Sequence, residues 1–284
     1  DKFGVTQPNI QRIGNSGRIL VELPGAKDIE RVKGLLQSTA QLEFWDAFKG
    51  EEFGTFIFQA NEVLKELVET TATETDTPES TDDAISDIIG DTDAVTGDVA
   101  EVNPLIDLIR APGYNGGPVI ASFEQKDKQQ VIEYLNNPQV RALLSSEQRY
   151  AKFVWGIPQV QTTTGENAQN IELVELYALK GNRDNEPPLS GAVITDARQA
   201  YQQNGNPSVS MQMNLKGAKI WEDMTGNAFN TAGQIAIVLD EIVYSAPGVT
   251  TGAISGGNSE ISGSFTLNEA VDLANVLRAG KLPA

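Results

Sequence analysis

Residues 18–48 read RILVELPGAKDIERVKGLLQSTAQLEFWDAF, and three segments of different period follow one another in them. The first, RILVEL, is apolar at 19, 20, 21 and 23, the pattern of a mostly buried strand, and Pro24-Gly25 stops it. Asp28 is placed to cap a helix in which Ile29, Val32, Leu35 and Leu36 recur at helical spacing, with Glu30, Arg31 and Lys33 on the other side. AQLEFWDAF then alternates again through Leu42 and Phe44. Strand, helix and strand in about 30 residues make a unit of βαβ size.

Working outward from that unit, residues 50–68 resume a helical pattern through Phe58, Val63, Leu64 and Leu67. LIDLIRAPG, KDKQQVIEYLNNPQVRALL and RYAKFVWG follow, read as helices interrupted by Pro112, Pro138 and Pro158, a small helical module. Residues 171–180, IELVELYALK, alternate as a strand, and GNRDNEPPL is its turn-rich exit. ITDARQAYQQNGNP predicts a short helix capped by Thr195 or Asp196, and PSVSMQMNL predicts a strand with Val209, Met211, Met213 and Leu215 on one face. A helix through Ala218, Trp221, Met224 and Phe229 precedes GQIAIVLDEIVYSAPG, a hairpin turning near Asp240-Glu241. SEISGSF is the closing strand. The last helix opens on a capping box of Thr266 and Glu269 and carries Leu267, Ala270, Val271, Leu273, Ala274 and Leu277 along one stripe.

The chain has 284 residues, with 39 acids, 21 bases, no cysteine and no histidine. That excludes a Cys nucleophile, a Ser-His-Asp triad, a Cys/His zinc site and an HExxH peptidase. A formal charge of -18 argues against a nucleic-acid binder, which needs clustered Lys and Arg. The charge is concentrated. The 44 residues between Lys65 and Arg110 hold 13 acids and no base, so the other 240 carry only -5. The segment 69–101 is too polar to offset the entropy of ordering it and is expected to be a mobile insert. No run approaches the ~20 apolar residues that span a bilayer. The chain opens on Asp1 without a signal-like segment and reads as a fragment whose flanks lie elsewhere.

Little in the chain suggests catalysis or metal binding. Asp91, Asp93 and Asp98 begin a calcium-loop pattern, but Thr96 stands at the glycine position and Val102 at the twelfth. The Gly-rich run 252–264 lacks GK[ST] and GxGxxG and precedes a strand, so its glycines read as turn formers. Glu43 with Asp46, or Glu222 with Asp223, would need a shared cleft to act as an acid-base pair. An acylphosphatase-like enzyme would need an Arg in the loop PGAKD, which has only Lys27. Trp221, Met224, Phe229, Tyr244, Met211 and Met213 pack a core or line a groove for apolar segments. An exposed strand edge would hold an extended chain, and the hairpin with SEISGSF is the candidate edge, Ile242, Val243 and Tyr244 supplying pocket walls. The competing readings are a free-standing solute- or carbohydrate-binding domain of a cell envelope and a carboxylate hydrolase.

GVTQPNIQRIGNSGRILVELPGAKDIERVKGLLQSTAQLEFW, residues 4–45, resembles the opening of the first periplasmic domain of SecD, the accessory subunit of the bacterial Sec protein-export translocase (SecDF). GNPSVSMQMNLKGAKIWEDMTGNAFNTAGQIAIVLDEIVYSAPGVTTGAISGGNSEISGSFTLNEAVDLANVLRAGKLPA, residues 205–284, resembles the end of the same domain. The resemblance implies an α+β fold with a ferredoxin-like base, an inserted α+β head subdomain and an acidic, partly disordered insert. The base would comprise residues 1–60, 169–182 and 265–284, the insert 61–168 and the head 183–264, with hinges at Gly181 and Gly263. It implies a non-enzymatic preprotein-handling domain, periplasmic and part of an inner-membrane protein. The domain would work with SecF and the SecYEG channel, bind the emerging unfolded preprotein, and need no cofactor, metal or nucleic acid.

Overall fold

The computed structural model describes residues 9–13, 18–22, 41–74, 102–162, 170–262 and 265–279. Strands β1 (Asn9–Ile13), β2 (Arg18–Glu22) and β3 (Leu42–Ala47) precede helix α1 (Gly54–Glu74). Then come β4 (Ile109–Pro112), β5 (Val119–Glu124), α2 (Lys128–Asn136), the single turn α3 (Pro138–Arg141), β6 (Lys152–Gly156), β7 (Gln159–Thr162) and β8 (Asn170–Leu179). β9 (Leu189–Ser190), β10 (Ile194–Tyr201) and β11 (Pro207–Met213) lead to α4 (Leu215–Thr231), β12 (Gln234–Leu239), β13 (Ile242–Ser245), β14 (Asn258–Ser262) and α5 (Leu267–Ala279). The expected helix after Asp28, the acids 91–98, Lys27 and Gly263 lie outside the described residues.

The apolar run QIAIVL is buried on both faces because it forms the middle of a closed ring of strands. β12 pairs antiparallel with β3 along its whole length, from Gln234 opposite Ala47 to Leu239 opposite Leu42. On its other side it turns into β13 through Asp240 and Glu241, both at positive φ as a two-residue hairpin turn requires. β13 pairs parallel with β6, β6 antiparallel with β8, and β8 returns to β3 at Leu179 opposite Ala47. Phe48 N–H to Ala178 O at 2.9 Å and Lys180 N–H to Asp46 O at 2.7 Å complete the closure. Trp45, Val154, Tyr177, Leu179, Ala236, Val238 and Val243 fill the inside, with Val119 at one end. Alternate side chains point in, so closure buries one face of every strand and removes free edges.

Two layers flank this small barrel. On one side Phe53, Phe56, Ala60 and Leu64 of the α1 region, with Val131 and Leu135 of α2, cover Phe123, Val174 and Leu176 of the β5–β8 pair. Phe48, Phe53, Phe56 and Phe153 contact one another mostly edge to face at 5.5–5.8 Å, an arrangement favoured by the ring quadrupoles. On the other side the three-stranded sheet β10-β11-β14, α4 and α5 enclose Phe44, Ile235 and Ile237 with Met211, Trp221, Met224 and Leu273. The α5 capping box forms as expected: Glu269 N–H donates to Thr266 Oγ1 at 3.3 Å and Thr266 N–H to the Glu269 carboxylate at 2.7 Å.

The mixed α+β class stands, and several expectations are corrected. Residues 194–201 are a strand, not a helix, because pairing with β11 overrides the helix propensity of Ala, Arg and Gln. Residues 102–162 are not a helical module: β4, β5, β6 and β7 accompany α2 and α3, and KFVWG is a strand held between β8 and β13. The boundary at 60/61 falls inside the continuous helix α1. Among the described residues β2 pairs only with β1, so it shares no sheet with β3 and β8 as a ferredoxin-like base would need. Strand pairing also crosses the expected base-head division, since β3 and β12 share a ladder and α5 packs on the core side of β10 and β11.

Candidate functional site

The sequence NSEIS is apolar only at Ile261, which suits a strand with one face on the core and one edge without a neighbour. β14 pairs with β11 on one side and, among the described residues, with no strand on the other. A cleft of about 630 Å³ lies along it. Asn258–Ser262 form one wall, Ile235, Ile237 and Trp221 the floor, and Pro247–Thr251 with Ile254 the facing rim. Gln202, Gln203 and Asn204 close one end. The rim is anchored rather than loose: Thr225 Oγ1 donates to Trp221 O at 2.6 Å and accepts from Ile254 N–H at 2.9 Å. Gly252, Gly256 and Gly257 turn the chain through positive φ, and at Gly257 a Cβ would also press on Ala218 at 2.9 Å. These glycines are turn formers, as their spacing predicts.

The sequence-predicted residues are placed differently from expectation. The strand edge expected at Ile242 and Val243 is closed, because Ile242 pairs with Trp155 and Val243 with Gly156 of β6. Val243 is 2% exposed and points into the barrel, so it cannot be a pocket wall. Tyr244 is half-buried against the α4–α5 layer, and burial, followed by the carboxylates of Asp240 and Asp272, holds its phenol above the ordinary range. Of the predicted edge only β14, Asn258–Ser262, remains open among the described residues. Gly181 is tightly packed: a Cβ there would lie 2.2 Å from Tyr150 O. Met211, Met213 and Met224 are core, Phe229 is exposed, and Trp221 alone of that set reaches the cleft. The loops 202–204 and 247–251, rich in Gln, Asn and Thr, were missed, since polar loops carry no periodic signal.

The carboxylate pairs do not converge. Glu43 accepts from Trp45 Nε1–H at 2.7 Å, whereas Asp46, three residues on, faces the other side of β3. Glu222 and Asp223 are exposed on α4. Among the described residues no three His, Cys, Asp or Glu side chains gather as a metal site.

Burial pushes the Asp46 carboxyl above its ordinary range, against the pull of Lys180. A raised folded-state pKa means that Asp46 contributes its stability at low pH, when protonated, and loses it as pH rises through the raised value. Asp46→Asn is therefore expected to raise the melting temperature by a few degrees near pH 7 and to change it little near pH 3, by scanning calorimetry. An equal shift at both would assign the effect to packing.

Residues 1–48 match the family model described as protein translocase subunit SecDF, P1 domain, N-terminal, and residues 175–284 match the one described as SecDF, P1 head subdomain. The protein translocase subunit SecD of Rhodothermus marinus is 38% identical over 292 residues, covering 100% of this chain and 43% of that protein. That of Calditerrivibrio nitroreducens is 31% identical over 285 residues, covering 100% and 36%. A solved structure of SecDF in a super-membrane-facing form covers 99% of this chain at 21% identity and a TM-score of 0.41. The chain thus spans less than half the length of these curated relatives. No helix among the described residues is long and apolar enough to cross a membrane.

Proposed function

Because the chain belongs to the SecD/SecDF family of protein translocase subunits, as its P1 region, we propose that it is the preprotein-handling domain of such a subunit. It would face the periplasm as part of an inner-membrane protein, beside SecF and the SecYEG channel, and hold the unfolded polypeptide as it emerges. The supporting observation is the open cleft beside β14, which lies within the residues that match the head model. Its wall offers main-chain groups and its floor offers apolar side chains, a combination that makes few demands on sequence and so suits many different preproteins. Handling of this kind requires weak, reversible holding, with dissociation constants of roughly micromolar to millimolar.

Movement of the head about Gly181 and Gly263 belongs to the same proposal. Because β3 and β12 share six register pairs, such movement either carries β3 along or breaks that ladder.

Both parts are testable in the full-length protein in membranes. A photo-crosslinking side chain at Val249, on the cleft rim, should capture an export intermediate arrested in the channel, and one at the exposed Gln129 of α2 should not. Equal capture at both positions would remove the cleft as the holding site. Glu43→Cys with Val238→Cys, opposite each other in the β3–β12 ladder, gives a lock whose two cysteines are the only ones in these 284 residues. Slower export when oxidised, restored by reductant, supports movement across that ladder, and an unchanged rate sinks it.

A further inference from the structure

The hydrogen bonding of the three-stranded sheet settles which backbone groups of β14 face away from β11. Met213 N–H donates to Gly257 O at 2.8 Å, and Met211 and Val209 lie opposite Ser259 and Ile261 in the same antiparallel register. Pairs of this kind alternate, so residues 257, 259 and 261 turn their N–H and C=O groups toward β11. Asn258, Glu260 and Ser262 therefore turn theirs away from the sheet, where no strand among the described residues receives them. The side chains divide in the same way: Ser259 and Ile261 are buried, and Asn258, Glu260 and Ser262 are exposed. Three outward peptide groups over a five-residue strand give an edge about 17 Å long.

Two further observations specify what lies along that edge. Trp221 lines the cleft and is 5% exposed, yet its indole N–H has no acceptor among the described residues. A buried donor without a partner is costly, and a carbonyl entering the cleft would remove that cost. In addition, Glu260 is the only charged residue among the described residues that line the cleft, in a chain whose formal charge is -18. The lining therefore suits an uncharged segment and tolerates one Lys or Arg beside Glu260. An exposed acid on an edge strand also opposes pairing with a second copy of itself.

We infer that β14 is a strand-addition edge. An extended, uncharged or singly basic polypeptide segment pairs its main chain with Asn258, Glu260 and Ser262, and one of its carbonyls accepts from Trp221 Nε1–H. This rests on the preprotein-handling reading above and adds the mode, the register and the preferred charge of what is held. Recognition through the main chain explains how a single site accepts unrelated sequences.

The test uses the 284-residue chain and a capped, fluorescent seven-residue peptide of alternating Thr and Val with one central Lys, followed by anisotropy. Glu260→Pro removes an outward N–H and leaves the ladder to β11 intact, a position where an edge strand tolerates proline. It should weaken binding about tenfold, while Glu260→Gln should change it about twofold or less. Two N-methylated peptides give an independent reading without altering the protein. Methylation of the alternate amides that face β14 should abolish binding, and methylation of the other set should spare it. Wild-type affinity in Glu260→Pro, or equal binding of the two methylated peptides, overturns the edge while leaving preprotein handling intact. If the peptide does not bind the unaltered chain at all, both readings fall. A concentration-dependent dimer that Glu260→Pro dissolves, with no peptide binding, assigns the edge to a second copy and overturns the inference.

Discussion

Val243→Asp should abolish the cooperative melting transition of this chain rather than weaken its hold on a polypeptide. Val243 is 2% exposed inside the barrel, packed with Trp45, Val154, Tyr177, Leu179, Ala236 and Val238. Among these neighbours the only polar side-chain atoms are the Trp45 indole N–H and the Tyr177 hydroxyl, and both are donated elsewhere, to Glu43 and Glu175. An introduced carboxylate would therefore be buried without a partner, and the expected cost exceeds about 5 kcal/mol, comparable with the whole stability of a typical domain. Chemical denaturation followed by far-UV circular dichroism should show no folded baseline at neutral pH. Val243→Ala, which removes atoms without adding charge, should cost about 2 kcal/mol and preserve the transition. A folded Val243→Asp with a normal midpoint would mean that β13 does not sit within a closed barrel.

The second large effect is expected at Asn61, which is fully buried in α1. Its side-chain oxygen accepts from Leu105 N–H at 3.1 Å and from Ile106 N–H at 3.2 Å, and its amide donates to Asn103 Oδ1 at 3.0 Å. One side chain thereby satisfies two backbone donors from a segment more than 40 residues away and ties the 103–106 segment to α1. Asn61→Leu keeps roughly the same volume but strands both N–H groups, at about 1–3 kcal/mol each. The melting temperature should fall by roughly 10 °C, with a change of only a degree or two for the exposed Gln59→Ala as a control. Retention of the wild-type midpoint in Asn61→Leu would show that the 103–106 segment is not tied to α1.

These effects locate the limit of local reading. The hairpin at 234–245, the helix over Trp221 and Met224, the strand over 171–179 and the capping box before Leu267 were all legible, because each is specified by residues within a few positions of one another. Period-two or period-3.6 burial, a turn with two residues at positive φ and a Thr-x-x-Glu cap need no distant partner. The class of the fold and the absence of thiol or imidazole chemistry follow from sequence for the same reason. What sequence could not decide is which strands meet. β13 was expected to be an edge and is interior, because β6, 87 positions earlier at the Ile242–Trp155 pair, completes its hydrogen bonding. Residues 194–201 and 152–156 were expected to be helical and are strands for a related reason. Their backbone groups are satisfied by β11, β8 and β13, whose availability depends on the whole topology. Amino-acid periodicity determines which face of an element is apolar, whereas only tertiary structure decides which backbone edges remain open, and among the described residues β13 is closed while β14 keeps an open edge.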